Sequence, residues 1–225
     1  MVKNLAIGIV LLGGILLGGL RLGPVYLAAA GAEKAFRKGV EAGFSGRSNF
    51  TASHFKQAIK LRPAADLAAR IGLAYHIQED FAEGLPYLQQ AFAEEPQQPW
   101  AVKVALAAAY ADAGEEEKGK AMIAEALSRL PEDPGIMNNL AYPMADGDIL
   151  VDEAAIMLKK AVRRSPKSWE ILDSLGWAYY RQGKLEEAKA ILAKALEMHS
   201  DEIVFQHLQQ VNRDLQAETK DPRPR

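Results

Sequence analysis

Residues Ser174–Leu196 read SLGWAYYRQGKLEEAKAILAKAL. A Trp and two Tyr crowd around Gly176, and an Ala-rich helical pattern follows Gly183. Such a cluster could line a cofactor pocket, or it could be the packing of a unit that recurs along the chain. Recurrence decides the matter. The motif of Ala, four residues, then Pro returns as Ala58/Pro63, Ala91/Pro96, Ala126/Pro131 and Ala161/Pro166, and a fifth copy reads Ala195/Ser200. The Ala residues stand 33, 35, 35 and 34 apart, and a small residue precedes each one: Gly39, Gly72, Ala107, Ala141 and Gly176. Self-similarity at this period signals stacked supersecondary units, none of which can bury its apolar face alone.

The chemistry of the positions explains their composition. Two helices that cross closely need small side chains where their backbones approach, so Gly176 is expected against Ala188 and Ala195, with Tyr179 and Leu192 filling the space around them. The Pro ends each second helix, because it lacks an N–H and disfavours helix at the residue before it. After the fifth unit, Val204, Leu208, Val211 and Leu215 fall on one face of a last helix that can cover the open end of the stack, with Asp201 as its cap.

This pattern resembles the tetratricopeptide repeat: a large residue, then Leu-Gly, then Tyr, later Ala, an aromatic or Leu, Ala and a closing Pro. LDSLGWAYYRQGKLEEAKAILAKAL is similar to it throughout, and KGVEAGFSGRSNFTASHFKQAIKLRP fits it least. The resemblance implies an all-α superhelical solenoid of about five helix pairs, with units at 32–64, 65–99, 100–133, 134–168 and 169–201. A capping helix is expected over 202–217 and a disordered tail over 218–225, so the repeat domain would run over 32–217. Unit four departs twice, with Pro143 inside its first helix and a turn, DGDILVDEA, one residue longer than its counterparts. Either the departure reshapes the surface beside Trp177 or it is a tolerated irregularity.

The N-terminus is a different material. Leu5–Leu20, LAIGIVLLGGILLGGL, carries no charge, and as a helix it would span roughly 24 Å, slightly short of a bilayer core unless Arg21 snorkels. The expectation is a transmembrane anchor over 1–31. A cleaved signal peptide is the alternative, since Ala28–Ala30 and Ala30–Ala32 offer small-x-small sites. Gly14 with Gly18, and Gly19 with Gly23, form faces that let another transmembrane helix approach. Lys3 alone precedes the run while Arg21, Lys34, Arg37 and Lys38 follow it, which by the positive-inside rule favours a cytoplasmic domain. The resemblance to bacterial proteins with exported repeats points the other way, to a single-pass inner-membrane protein with a periplasmic repeat domain.

Composition narrows the function. With 27 basic and 29 acidic residues no strong positive field exists, and nucleic acid is not an expected partner. The chain has no cysteine, which removes disulfides, thiolate nucleophiles and cysteine zinc sites. The four His show no metal-ligand spacing, and neither a phosphate loop nor a nucleophile elbow occurs. No catalytic residue, metal, cofactor or small-molecule substrate is therefore expected.

What the resemblance implies instead is capture of a protein or peptide segment in a concave groove lined by the first helix of each pair. By position that groove takes Phe36, Val40, Phe44, His76, Asn138, Tyr142, Asp173, Trp177, Tyr180 and Arg181. Trp177 stands where family members carry a small polar residue, and burial against the neighbouring helix is its alternative. The cationic clamp that holds chaperone C-termini is missing, since its positions carry Phe36, Ala69, Val104, Asn138 and Asp173. The expected role is a non-enzymatic scaffold or accessory subunit of a membrane complex, with a periplasmic assembly chaperone as the alternative.

Overall fold

The computed structural model describes residues 23–128 and 133–220, and those residues hold eleven helices and no strand. They divide into two compact units, the first ending at Met122 and the second beginning at Ile123. Residues 1–22 of the expected anchor over 1–31, with Gly14, Gly18 and Gly19, lie outside the described residues. Among the described residues no helix is long and apolar enough to cross a membrane.

The first unit contains α1 (Gly23–Phe44), α2 (Ser48–Leu61), α3 (Ala65–Ile77), α4 (Phe81–Glu94) and α5 (Trp100–Asp112). The helix α6 (Glu116–Leu127) crosses from the first unit into the second. Within the first unit α1 pairs with α2 and α3 with α4, and α5 packs on α3 and α4. The first helix runs without a break through position 32, where the first repeat was expected to begin, and it starts at Gly23. Pro24 sits in its first turn, where a missing N–H costs nothing.

The second unit contains α7 (Pro134–Asp146), α8 (Val151–Arg164), α9 (Trp169–Arg181), α10 (Leu185–Met198) and α11 (Glu202–Lys220). Here α7 pairs with α8 and α9 with α10, α9 also packs on α7 and α8, and α11 closes against α10 and α9. Val204 and Val211 of α11 are fully buried, and Ile203 N–H donates to Asp201 Oδ1 at 2.9 Å. The helix continues past the expected end at 217. Pro143 stays inside an unbroken α7, whose end is closed by Gly147 N–H on the Pro143 carbonyl.

Small residues sit at the crossings, with one correction. A Cβ on Gly176 would come within 2.6 Å of Leu192 Cγ, so Leu192 rather than Ala188 or Ala195 is what the glycine admits. Gly39 likewise admits Phe55, and Gly72 admits Leu88. In the third pair the roles exchange. Ala107 keeps its methyl and Gly119 gives way, since a Cβ there would lie 2.6 Å from the Ala107 carbonyl oxygen.

One turn is built five times. After α9, Gly183 N–H donates to Tyr180 O and Lys184 N–H to Tyr179 O, both at 2.9 Å, which is a Schellman closure with its left-handed residue at Gly183 (φ 72°). The same bond pair follows α1 at Gly46, α3 at Glu79, α5 at Gly114 and α7 at Asp148. Glu79 and Asp148 hold positive φ without being glycine. The longer fourth turn then needs a second such residue, Leu150 at φ 47°, whose side chain is buried.

Candidate functional site

The site is built on α9 and lies wholly in the second unit. Trp177, on its third turn, donates its indole N–H to Asp146 Oδ1 at 2.7 Å. Its ring stacks on Tyr180 (centroids 4.7 Å apart) and on His207 of α11 (4.1 Å). His207 Nδ1 lies 2.9 Å from Asp173 Oδ1, and Tyr180 donates its hydroxyl to Asp214 Oδ2 at 2.8 Å. A row of polar and aromatic side chains on α9 is thus tied to the capping helix and to the end of α7.

The reason is local. Residues 173, 177 and 180 recur at helical spacing, so Asp173, Trp177 and Tyr180 share one face. On α11, His207 and Asp214 stand two turns apart and present a matching row. Burial, and then the hydrogen bond to Asp214, raise the Tyr180 phenol above its usual range.

Beside this ladder a pocket of about 300 Å³ is lined by Tyr180, Arg181, Leu185, Asp148, Asp214 and Glu218. Arg181 is engaged with Asp148 Oδ2 at 3.3 Å. Three carboxylates against one guanidinium leave the lining acidic, with a phenol and an apolar Leu as its neutral walls. Such a lining suits a cationic side chain with an apolar stem.

The sequence-expected residues are placed as follows. Tyr180 and Arg181 line the pocket, and Trp177 and Asp173 stand in the ladder next to it. Asn138 is buried in α7, and Tyr142 is half-buried. Three residues of the first unit need correction. Phe36 and Val40 are core side chains, Phe36 stacking on Phe55 at 5.8 Å, and His76 is buried with its ring edge-on to Phe81. They have no accessible surface to offer, because α1 and α3 turn these positions onto α2 and α4. Phe44 packs, half-buried, against the same core. Gly23 is the first residue of α1.

Asp148, His207, Asp214 and Glu218 belong to the site and were not expected there. The signal lies in the sequence: 207, 214 and 218 are spaced by seven and four on one face of the helix that carries the apolar row 204, 208, 211 and 215.

The electrostatics of the first unit concentrate elsewhere. Arg70 donates to both oxygens of Glu33 (2.9 and 3.1 Å) and lies 4.2 Å over the Phe36 ring. The hydrogen bonds from Arg70 hold the Glu33 carboxyl below its usual value despite partial burial.

Comparison with known proteins agrees with this architecture. Residues 150–211 match the tetratricopeptide repeat family. A TPR repeat-containing protein of Pseudomonas aeruginosa is 39% identical over 82 residues, which are 36% of this chain and 14% of that protein. Among solved structures, a thermophilic TPR protein of Thermus thermophilus gives a TM-score of 0.55 at 22% identity, covering 80% of this chain and 98% of that one. The human IFIT1 dimer with PPP-AAAA gives 0.56 at 20% identity, covering 86% of this chain and 47% of that one. The match thus spans 14% of the length of the Pseudomonas relative and just under half of the IFIT1 chain. At such structural identities the likeness is one of fold. Residues 150–211 are thus similar to the tetratricopeptide repeat family, and the described residues are all-helical, with a fold like that of the tetratricopeptide structures.

Proposed function

We propose that this chain is a membrane-tethered, non-enzymatic module that holds a segment of another protein, as scaffold or accessory subunit of a membrane-associated complex. The observation that carries the reading is the acidic pocket beside Tyr180 and Arg181, next to a ladder that fixes its walls. Tyr180 is positioned by Asp214 and by the Trp177 ring, so the pocket is held in shape before a partner arrives. Its excess of carboxylates selects a segment that presents a Lys or Arg. Trp177, with its N–H on Asp146 and its ring stacked, acts as a positioning residue for that wall. The tether is the apolar run over residues 5–20, and its glycine faces would suit a transmembrane helix of the same complex. In this proposal the repeats face the periplasm. Protection of the repeats from protease added to spheroplasts would overturn that placement.

The test is purification of the full-length protein from native membranes in mild detergent, with quantitative mass spectrometry, for the wild type and for Arg181→Glu and Tyr180→Ala. One membrane complex at fixed stoichiometry, depleted in Tyr180→Ala, is the expected result. A spread of substoichiometric, partly assembled exported proteins would replace the subunit reading with an assembly chaperone. An unchanged partner set in both variants would remove the pocket from the interface.

A further inference from the structure

The helix α8 carries a charged face that neither its packing nor the pocket uses. Ala154, Ala155, Met157, Leu158 and Ala161 are buried against the second unit. On the opposite face, at spacings of three and four, stand Ile156, Lys159, Lys160 and Arg163, and Lys167 continues the row just past the helix end. Lys184 adds to it from the turn before α10: Lys159 Nζ and Lys184 Nζ lie 5.4 and 5.8 Å from the centroid of the same Tyr179 ring. Ile156 is 48% exposed in the middle of this face. The acids on the same helix, Asp152 and Glu153, are confined to its first turn. Asp152 there accepts a hydrogen bond from Gln182 at 2.6 Å.

Cations in the last turn favour the helix dipole, and Arg163 with Arg164 would suffice for that. The dipole does not explain Lys159, Lys160, Lys167 and Lys184, nor an exposed Ile among them. We infer that the outer face of α8 is an interaction surface for an anionic phospholipid membrane. Three observations select lipid over other polyanions. Four of the five cations on the face are Lys, a flexible point charge suited to mobile headgroups rather than to the fixed fork geometry that selects Arg. The exposed Ile156 supplies the apolar contact of an interfacial helix, where a nucleic-acid surface would present a ring for base stacking; Tyr179, the ring beside the patch, packs against Leu185, Leu192 and Val211 instead. And the uncharged run over residues 5–20 would keep the chain near a bilayer. The inference deepens the tether of the proposed function by giving the repeat domain its own contact with the same surface.

Because the chain has no cysteine, a single probe can report on this face in the full-length protein. Ile156→Cys carrying a polarity-sensitive dye is reconstituted with vesicles of phosphatidylcholine alone and with vesicles holding about one third phosphatidylglycerol. The expected result is a blue shift and protection from an aqueous quencher on the anionic vesicles only. Both should be lost on adding about 0.5 M salt, and Lys159→Glu/Lys160→Glu/Arg163→Glu should weaken them by more than roughly tenfold. The Gln versions of the same three substitutions guard against misfolding and should weaken them less. Equal emission on both vesicle types, or indifference to charge reversal, would overturn the inference. So would a stronger shift with polyglutamate or an RNA oligonucleotide than with vesicles. Failure of the tether is read separately, as failure of the full chain to co-sediment with the neutral vesicles.

Discussion

At Gly183 no heavy atom lies within 4 Å of where a Cβ would stand, so a methyl there meets nothing and tests the backbone alone. With φ at 72° the Gly183→Ala variant is expected to lose about 1 kcal/mol of stability, read as a lowered midpoint in urea at unchanged slope. No loss would mean that the closure after α9 does not depend on a left-handed residue. Glu79 and Asp148 show why such turns were only partly legible. The bond pair is the same at all five turns, and a Gly announces it in three, whereas a Glu or Asp in the left-handed region leaves no mark in the sequence. Phe36, Val40 and His76 failed for a related reason. Position within a repeat gives the helix and the turn, but whether a side chain meets solvent depends on neighbours such as Phe55 and Phe81 that belong to another helix. Glu33 offers a pH test at this scale. Its carboxyl is held low by Arg70, so its contribution is present above the usual carboxylate value and is lost as pH falls through its lowered pKa. Glu33→Gln should cost about 1 kcal/mol at neutral pH, because solvent screens a pair whose carboxylate is partly exposed, and the gap should close in acid. Chemical unfolding of both proteins at neutral and acid pH checks it, and a gap independent of pH would deny the ion pair its role.

Between elements, the contact that matters most is that of α11 with α9 and α10. It does two things at once. Its apolar row, with Val204 and Val211 fully buried, covers Leu172, Leu185 and Leu192, and its polar row places His207 and Asp214 against the α9 ladder. The apolar row was readable from the spacing of 204, 208, 211 and 215, so the cap could be expected. The polar row has the same periodicity but no apolar partners to point it inward, and its role is set by Asp173, Trp177 and Tyr180, which face it from α9. The two rows can be separated experimentally. Val211→Asp places an uncompensated charge in the buried row and should destabilise by about 3–5 kcal/mol, with loss of amide protection across α10 and α11. Asp214→Asn keeps the apolar row and leaves Tyr180 a weaker acceptor. It should change the fluorescence of the Trp177 region and partner retention in the purification described above while lowering stability far less. If Asp214→Asn proved as destabilising as Val211→Asp, the ladder would be part of the core and the pocket wall would have no separate purpose.

For the chain as a whole, the open issue is whether the proposed tether is strong enough to hold it, and the magnitudes allow a decision. Residues 5–20 contain ten Leu, Ile and Val, and at the centre of a bilayer each favours insertion by about 0.3–0.6 kcal/mol, so the run gains a few kcal/mol in sum. An Arg at the centre costs about 2.5–3.5 kcal/mol, so one substitution roughly balances the run and two should tip it. The expected outcome is that the wild-type chain stays with the membrane through alkaline carbonate extraction, that Leu12→Arg remains partly bound, and that Ile9→Arg/Leu12→Arg is released. The glycines sharpen this, since Gly14→Leu and Gly18→Leu add apolar surface and should retain the chain while blocking close approach of a second helix. Retention with loss of the co-purifying complex would assign the glycine faces to a partner helix. Retention with the complex intact would leave the pocket beside Tyr180 as the attachment, and release of the wild type by carbonate would remove the tether altogether while leaving the anionic-vesicle test of α8 to be decided on its own terms.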